Sequence, residues 1–597
     1  MVALKDTASG EYFDIPSDIS LEIERGNPYL GTDEISGENT LPINIFYTDK
    51  NYRLINYHGN FYKRNQKINI EVEIYDNTNY KYTGTFVIQQ HTSNMNAIAN
   101  TIWVGIVTFN SSAFFQEAKN KFLHQIDLGG ARSFPWTTGV PGDSSGGFWQ
   151  HIHAARTPDA FDYTFYPISN PSWEPYIFTF DQIIPKLGMN MLGPGNVFHH
   201  PDSAALVNIY NIRSIVPMIY VSYILKQVFK AIGWNLTGDV LNDPGFKKLT
   251  LVGTRSIHYK IMGYPIITLY PVNPVVFDLK DFVTEGVTLY KFMIDLKNRF
   301  GWKFLFDSNT KTATLSSLKS GINAGATDWT KYVVSDYQAG YKEVVQSFSL
   351  INNVDGNDGF PLNGDTNRLI KIPPAASFAA LPVPATQPDN VICFAFKENT
   401  WYMNEKNYAS GINTWEVFSH NIDNYIEPDP STKIETDIST MPTLKRTMMG
   451  DGADTWVPVC DYVGNNVYFL KEYTNLGMRM LFYHGMKNDS AGVPYPYASC
   501  HSSDQAGNDN LTPWSISYRR EYGSINNGVY DYWYKAWLEY IKSDDIRTFR
   551  FNLPLYVLSQ FNWETCIRIN DVDFVPVSYK EILPYPGMIE FKMKRVN

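Results

Sequence analysis

At 597 residues and 68.2 kDa, the chain is too long for one ordinary core, so roughly three to five domains are expected. Fifty basic residues against sixty acidic ones leave a net charge of −10. That disfavours a protein that grips phosphates, which needs a basic face, and a hydrophobic share of 44% excludes wholesale disorder.

Charged residues make up only 18%, while 40 Tyr, 36 Phe and 14 Trp raise the aromatic share to 15%. Two readings stand side by side: surface covered by partners, where amphipathic rings tolerate a half-wet contact, or tyrosine filling strand positions. Cys393, Cys460, Cys500 and Cys566 are far apart and form no CxxC pair, so neither a disulfide framework nor a zinc knuckle is implied. The longest apolar run, near 216–225, is too short to span a bilayer, and no stable membrane insertion is expected. Residues 1–10 are polar and show no signal-peptide pattern, so synthesis and folding in a cytoplasm are expected.

The first ordered block, 23–88, follows turn signals at Asn27-Pro28 and Ser36-Gly37. Residues 41–47 read as extended, a break at Thr48-Asp49-Lys50 follows, and 51–57 continues the series. In 68–75, Ile68, Ile70, Val72 and Ile74 fall on one face, the period of two expected of a strand with one buried side. A turn at 76–79 and a returning strand over 81–88 complete an antiparallel barrel or sandwich. Residues 129–175 are rich in Gly, Ser, Pro, His and Trp without periodicity and read as a long excursion, continued over 185–204.

From Pro217, the residues Ile219, Tyr220, Tyr223, Ile224, Val228, Ala231 and Ile232 form a helical stripe that Gly233 ends. A second helix is predicted from a Thr288 cap to Phe300, striped by Leu289, Phe292, Met293, Leu296 and Phe300 and stopped by Gly301. Gly233-Trp234 and Gly301-Trp302 close the two helices alike, which predicts a small α/β module of two helix–strand units. Asp328-Trp329-Thr330-Lys331 opens another β-rich region, 351–400 is loop-heavy, and the last third alternates short strands with turns. The fold class is therefore mainly β with α+β inserts, multidomain. Five parts are expected: a barrel-like 1–128, a loop-rich insertion 129–205, the α/β module 206–325, a second β-rich part 326–460 with long loops, and a β-rich 461–597.

Few residues suggest chemistry. Gly142-Asp143-Ser144-Ser145-Gly146-Gly147 superficially resembles the nucleophile loop of trypsin-like proteases, but carries an inserted serine and has no matching histidine context. A flexible turn is the better reading. His151 and His153 suit one face of a strand, with His199 and His200 downstream, a weak zinc pattern set in loop-like sequence. The stretch 355–359 faintly echoes a calcium loop, yet Gly359 stands where a ligand is needed and Thr366 replaces the closing glutamate. Asp571 and Asp573 would serve a glycosidase only inside an aromatic cleft, and on an alternating strand they face solvent. No catalytic, cofactor-binding or metal-binding residue is assigned, and no cofactor is expected.

The order of segments resembles the tail-hub or baseplate proteins of tailed bacteriophages, of the kind that infect Bacteroidetes-type hosts, distantly similar to the hub of contractile tails. The features that carry the resemblance are Asn27-Pro28, Gly37-Glu38-Asn39-Thr40-Leu41-Pro42 and Asn51, the Val216-Pro217 helix ending in Gly233-Trp234, the Leu289 to Trp302 unit, Asp328-Trp329-Thr330, and the closing 549–577 segment. Together they touch about half the chain. The stretches 129–204 and 351–449 depart from that pattern. The resemblance implies a non-enzymatic virion protein, a homotrimeric ring with two barrel-like domains per chain. Such a ring joins a tail tube to a threefold tip, contacts other tail proteins, and leaves a lumen through which DNA passes without specific binding; an acidic wall suits that passage. Two other readings stay open: a host-glycan-binding tail protein using Trp149 or Trp173 as a sugar platform, and a peptidoglycan or polysaccharide hydrolase.

Overall fold

The computed structural model describes residues 2–15, 21–27, 39–40, 43–56, 69–76, 79–94, 97–135, 147–169, 188–190, 215–253, 257, 260–262, 268–270, 274–307, 310–320, 325–334, 338–340, 347–353, 370–387, 391–395, 397, 400–406, 413–420, 425–439, 441, 443–447, 454–460, 477–500, 512–518, 521–522, 525–526, 528–542, 545–563, 565–584 and 588–596. It is mainly β, multidomain, with several sheets, the largest curled into half a barrel.

That sheet grows from the alternation in Asn69–Asp76, which buries Ile70, Val72 and Ile74 and turns the residues between them outward. It pairs antiparallel with Val2–Asp6 on one side and with Asn79–Asn94 on the other. Asn79–Asn94 then pairs with Ala97–Phe109, which also carries Asn39–Thr40 and Ile43–Phe46. The stretch after Thr48 is not a strand. Thr48 accepts the Asn51 amide at 3.0 Å and caps a short helix, Asp49–Leu54, so the expected break is a helix start.

The sheet has 13 strands and does not stop at the N-terminal block. Leu21–Gly26 pairs antiparallel with Val572–Leu583, in register from Leu21 opposite Leu583 to Gly26 opposite Ser578. The sheet continues through Met588–Arg595 and Ile546–Asn552 to Gln338–Gly340, with Cys566–Ile569 and Ala326–Asp328 attached at the side. Strand pairing thus runs across the divisions expected at 128 and 461. Asn27, read as a turn signal, extends this seam: its amide donates to the Val577 carbonyl at 2.8 Å and its side chain to the Pro576 carbonyl at 2.6 Å. Apolar clusters lie under the sheet, and two of them are large. One gathers N-terminal residues such as Val72, Phe86 and Trp103 and takes in Leu583; the other centres on Trp329, Phe551 and Phe591.

The largest core belongs to the α/β part. The first helix spans Val221–Ala231, four residues later than its stripe predicts, because Met218–Tyr220 is a strand held between Tyr163–Thr164 and Leu249–Leu251. Those three residues are all buried, and a short apolar run fits a helix face and a buried strand equally well. The second helix spans Leu289–Phe300, capped by Thr288 as expected. After each glycine stop the chain enters a strand, Asn235–Thr237 or Trp302–Asp307, and both pair with Thr312–Ser317, from opposite sides. The two helix–strand units thus share one central strand.

Part of the expected excursion is core. Ala131–Phe134 pairs with Val275–Asp278, and Phe148–Ala154 is a helix whose Phe148 and Ile152 are buried. Elements this short carry no readable period. Tyr163–Thr164 joins a five-stranded sheet with Met480–Asn488 and Pro494–Ser499 from the last third of the chain.

Gly301 and Gly233 both take left-handed backbone, at φ 64° and 74°. A Cβ at Gly301 would lie 3.0 Å from the Tyr534 ring, whereas at Gly233 it would meet nothing within 4 Å. Gly233→Ala is therefore expected to cost about 1 kcal/mol, the left-handed strain alone, and Gly301→Ala roughly 1–2 kcal/mol more. Denaturant unfolding of the two variants checks the order; equal losses would show that Tyr534 yields freely.

Candidate functional site

The polar groups with the most perturbed surroundings are buried, and they join segments far apart in sequence. The helix Leu289–Phe300 buries apolar and charged residues alike, including Asp295 and Arg299, both fully inaccessible to solvent. Asp295 Oδ1 accepts the Asp437 amide at 3.0 Å and Lys291 Nζ at 2.9 Å. Lys291 also reaches Asp437 Oδ2 at 2.8 Å, and Asn353 donates to Asp437 Oδ1 at 2.7 Å. Asn298 on the same helix donates to the Glu435 carbonyl at 2.8 Å. The helix is thereby fastened to the strand Thr432–Thr436 and its exit.

Burial pushes the Asp295 carboxyl above its usual range, against the pull of the Asp437 amide and Lys291. Burial works the same way on Asp437, but Asn353 and Lys291 hold its carboxyl below the usual range. Lys291, despite partial burial, is held above the ordinary lysine value by Asp437 and Asp295. Lys–Asp spacing at i,i+4 was the only sequence signal for this junction, and by itself it reads as a surface pair.

Arg299 is the opposite case. Among the described residues its guanidinium nitrogens find no partner of good hydrogen-bond geometry, and burial lowers its pKa against the pull of the nearby Tyr518. The Tyr518 ring face, 4.7 Å from Cζ, offsets part of that cost. Near the same core, Asp243 Oδ1 accepts the Gly245 and Phe246 amides and Trp514 Nε1 at 2.8–3.0 Å, while Tyr532 approaches Oδ2 at 3.3 Å. Lys319 lies over the Tyr532 ring at 4.0 Å and donates to its carbonyl at 3.1 Å. This knot joins a helix start, a turn and the last third of the chain.

Among the described residues, those singled out in the sequence do not converge. His151 and His153 lie on the helix Phe148–Ala154 rather than a strand, two positions apart and therefore on different faces. His151 Nε2 is 2.6 Å from the Tyr163 hydroxyl, and its ring stacks on Phe134 at 4.0 Å. Burial, aided by Arg132, lowers its pKa to about 4; burial and Arg156 lower His153 likewise to about 4. Residues 142–146, His199, His200, 355–359, Thr366 and Trp173 lie outside the described residues, as does the Trp149 side chain. Among the described residues no three His, Cys, Asp or Glu side chains are grouped to hold a metal ion.

Asp571 occupies the tight turn between Cys566–Ile569 and Val572–Leu583, at φ 64°. Asp573 accepts Arg568 Nε and Nη2 at 2.7 and 3.0 Å, and that pairing holds its carboxyl below the usual range. The two aspartates thus sit on a hairpin rim, one in the turn and the other neutralised by arginine, rather than facing each other as an acid and a base.

Sequence reasoning missed one serine–histidine pair. His484 Nε2 lies 2.9 Å from Ser499 Oγ within the hairpin of Met480–Asn488 and Pro494–Ser499. Burial, with Lys248 and Lys487 nearby, lowers its pKa to about 3, and among the described residues no acid reaches Nδ1. With Ser499 buried and no acid among the described residues to orient the imidazole, the pair lacks the arrangement of an activated nucleophile. These polar groups serve as fasteners within the fold.

No family model matches the chain. No curated protein matches it either. Among solved structures it is similar to the 43 kDa tail protein of prophage MuSo2 from Shewanella oneidensis, at 6% identity and a TM-score of 0.30, over 100% of this chain and 96% of that one. It is similar also to a tail protein from Neisseria meningitidis MC58, at 6% identity and a TM-score of 0.29, over 99% and 95%. At that level of similarity, function has to be read from the chain itself.

Asp295→Ala strips the buried Asp437 amide of its acceptor and is expected to cost roughly 2–4 kcal/mol, whereas Arg299→Met, which removes an unpaired buried charge, should cost under about 1 kcal/mol or stabilise. Chemical denaturation of both variants checks the contrast; a large loss in Arg299→Met would show that the tyrosine face compensates the charge in full.

His151, His153 and His484 have folded pKa values below the ordinary 6.5, so the unfolded chain binds more protons as the pH falls. Their stability contribution is complete above about pH 6.5 and is lost toward pH 4 for the first two and pH 3 for His484. Each adds a slope of up to about 1.4 kcal/mol per pH unit inside its window. Melting followed from pH 7 to 4.5 should show a falling midpoint, with a shallower fall in His484→Gln; parallel curves would remove His484 from the account.

Proposed function

We propose that the chain is a structural subunit of a bacteriophage tail hub or baseplate. In this reading three copies form a ring that joins the tail tube to the tip, contacts neighbouring tail proteins and lets DNA pass through its lumen. The chain works in the virion by symmetric assembly rather than by catalysis. The observation that carries the reading is the half-barrel sheet in which Leu21–Gly26 pairs with Val572–Leu583. It makes the two ends of a long chain into one curved wall, the kind of part from which a ring is built. The resemblance in segment order supports the same reading, as does the net charge of −10, which suits a wall that DNA slides past.

The test is the mass and shape of the purified full chain, by light scattering and electron microscopy. Three copies in a ring, with no DNA retained at physiological salt, are expected. A protein that stays monomeric at tens of micromolar and never joins tail proteins would refute the reading. Turnover of peptidoglycan or polysaccharide, abolished by a single carboxylate or serine change, would replace it with the hydrolase.

A further inference from the structure

The segment 372–387 contains four prolines and no charged residue. It runs along the four-stranded sheet of Ile370–Lys371, Val391–Ala395, Thr400–Lys406 and Asn413–His420. Nine of its sixteen residues are exposed, and eight of those nine are Pro, Ala, Phe or Val. Phe378 is 47% exposed and Val383 64%.

This strap is held down by its own backbone. Trp415 Nε1 donates to the Pro382 carbonyl at 2.6 Å, and Asn404 Nδ2 donates to the Pro384 and Gln387 carbonyls at 3.1 and 3.0 Å. The Lys397 amide donates to the Ala376 carbonyl at 3.0 Å. These polar groups are therefore satisfied inward while the apolar side faces out, a ridge fixed before any partner arrives. Ordering costs at a contact are correspondingly low. At roughly 2–3 Å per residue it is about 40 Å long, and with a width near 10 Å it offers on the order of 400 Å², half of what each partner gives to a stable interface.

A surface of matching chemistry lies near one end of the 13-stranded sheet. There the Tyr556 hydroxyl hydrogen-bonds Tyr332, and Tyr556 is 62% exposed. Val334, 50% exposed, donates its amide to the Arg550 carbonyl beside them. Lys331 Nζ stands 4.8 Å from the Tyr332 ring centre. Uncharged proline-rich segments dock on exposed aromatic faces, where the rings meet flat and little entropy is lost. Copies of a chain with net charge −10 repel one another, so contact between them favours uncharged ground, and Lys331 adds a cation at its rim.

We propose that the 372–387 strap of one copy seats on the Tyr332–Tyr556 pair of the next copy. The two surfaces differ, so a copy that gives its strap to one neighbour keeps its patch for another, and this head-to-tail contact builds a ring where its rotation closes. The inference rests on the ring reading above and names the surfaces that would make it.

The experiment uses the full chain, with Val383→Asp and Ala379→Asp in the strap and Tyr556→Asp in the patch. All three positions are exposed, and unchanged melting midpoints confirm that the variants fold. In sedimentation, each variant should associate at least about tenfold more weakly than the wild type. An equimolar mixture of Val383→Asp and Tyr556→Asp retains one good strap and one good patch, so it should form a two-chain complex and nothing larger. If the wild type is a ring and the variants keep its mass, this surface is wrong while the ring reading survives. A mixture that restores nothing overturns the head-to-tail contact. A monomeric wild type overturns both readings, and if it floats with phosphatidylcholine vesicles through Val383 the strap belongs to lipid.

Discussion

The seam between Leu21–Gly26 and Val572–Leu583 is the constraint on which the large sheet depends. Without it, the N-terminal strands would end in an open edge, and their apolar cluster would lose Leu583, which is fully buried there. The seam is reinforced away from the ladder. Glu581 is almost wholly buried, accepts the Tyr82 hydroxyl at 2.9 Å and lies 3.5 Å from Arg25 Nε, whose guanidinium sits over the Tyr82 ring. A contact between segments more than 500 residues apart is costly to close in chain entropy, though that cost grows only slowly with loop length. Once closed, it fixes both ends of the chain to one wall.

The same economy appears in the α/β part. Helix Leu289–Phe300 is tied to Thr432–Thr436 and its exit through Asp295, Asn298 and Lys291, and Asp243 ties a helix start to Trp514 and Tyr532. Each of these acids takes several donors, the condition under which a buried charge is tolerated. Arg299, which rests against Tyr518 with no carboxylate partner among the described residues, contrasts with them. Segments from every third of the chain are thus cross-fastened by desolvated polar groups, which favours a stiff part over a hinged one.

Individual elements were legible where their periodicity was long. The alternation through Ile70, Val72 and Ile74 and the helix from Thr288 to Gly301 stand where their patterns place them, because about eight to twelve residues suffice to separate a period of two from one of 3.6. The paired Gly-Trp stops were legible too, and their strands flank one common strand. Met218–Tyr220 was not, since three buried apolar residues carry no period. Phe148–Ala154 hid for the same reason, and with it the helical setting of His151 and His153. Of the polar junctions, almost nothing was visible: Asp295 and Asp437 are 142 positions apart.

The amino-acid order alone settled the β-rich class and the two glycine-stopped helices, because these follow from local periodicity and backbone freedom. Tertiary structure decided which strands share a sheet, which charges are desolvated, and that the two ends of the chain meet. Those outcomes depend on contacts between distant residues, and the energy of such a contact is set by burial and register, neither of which a linear pattern contains.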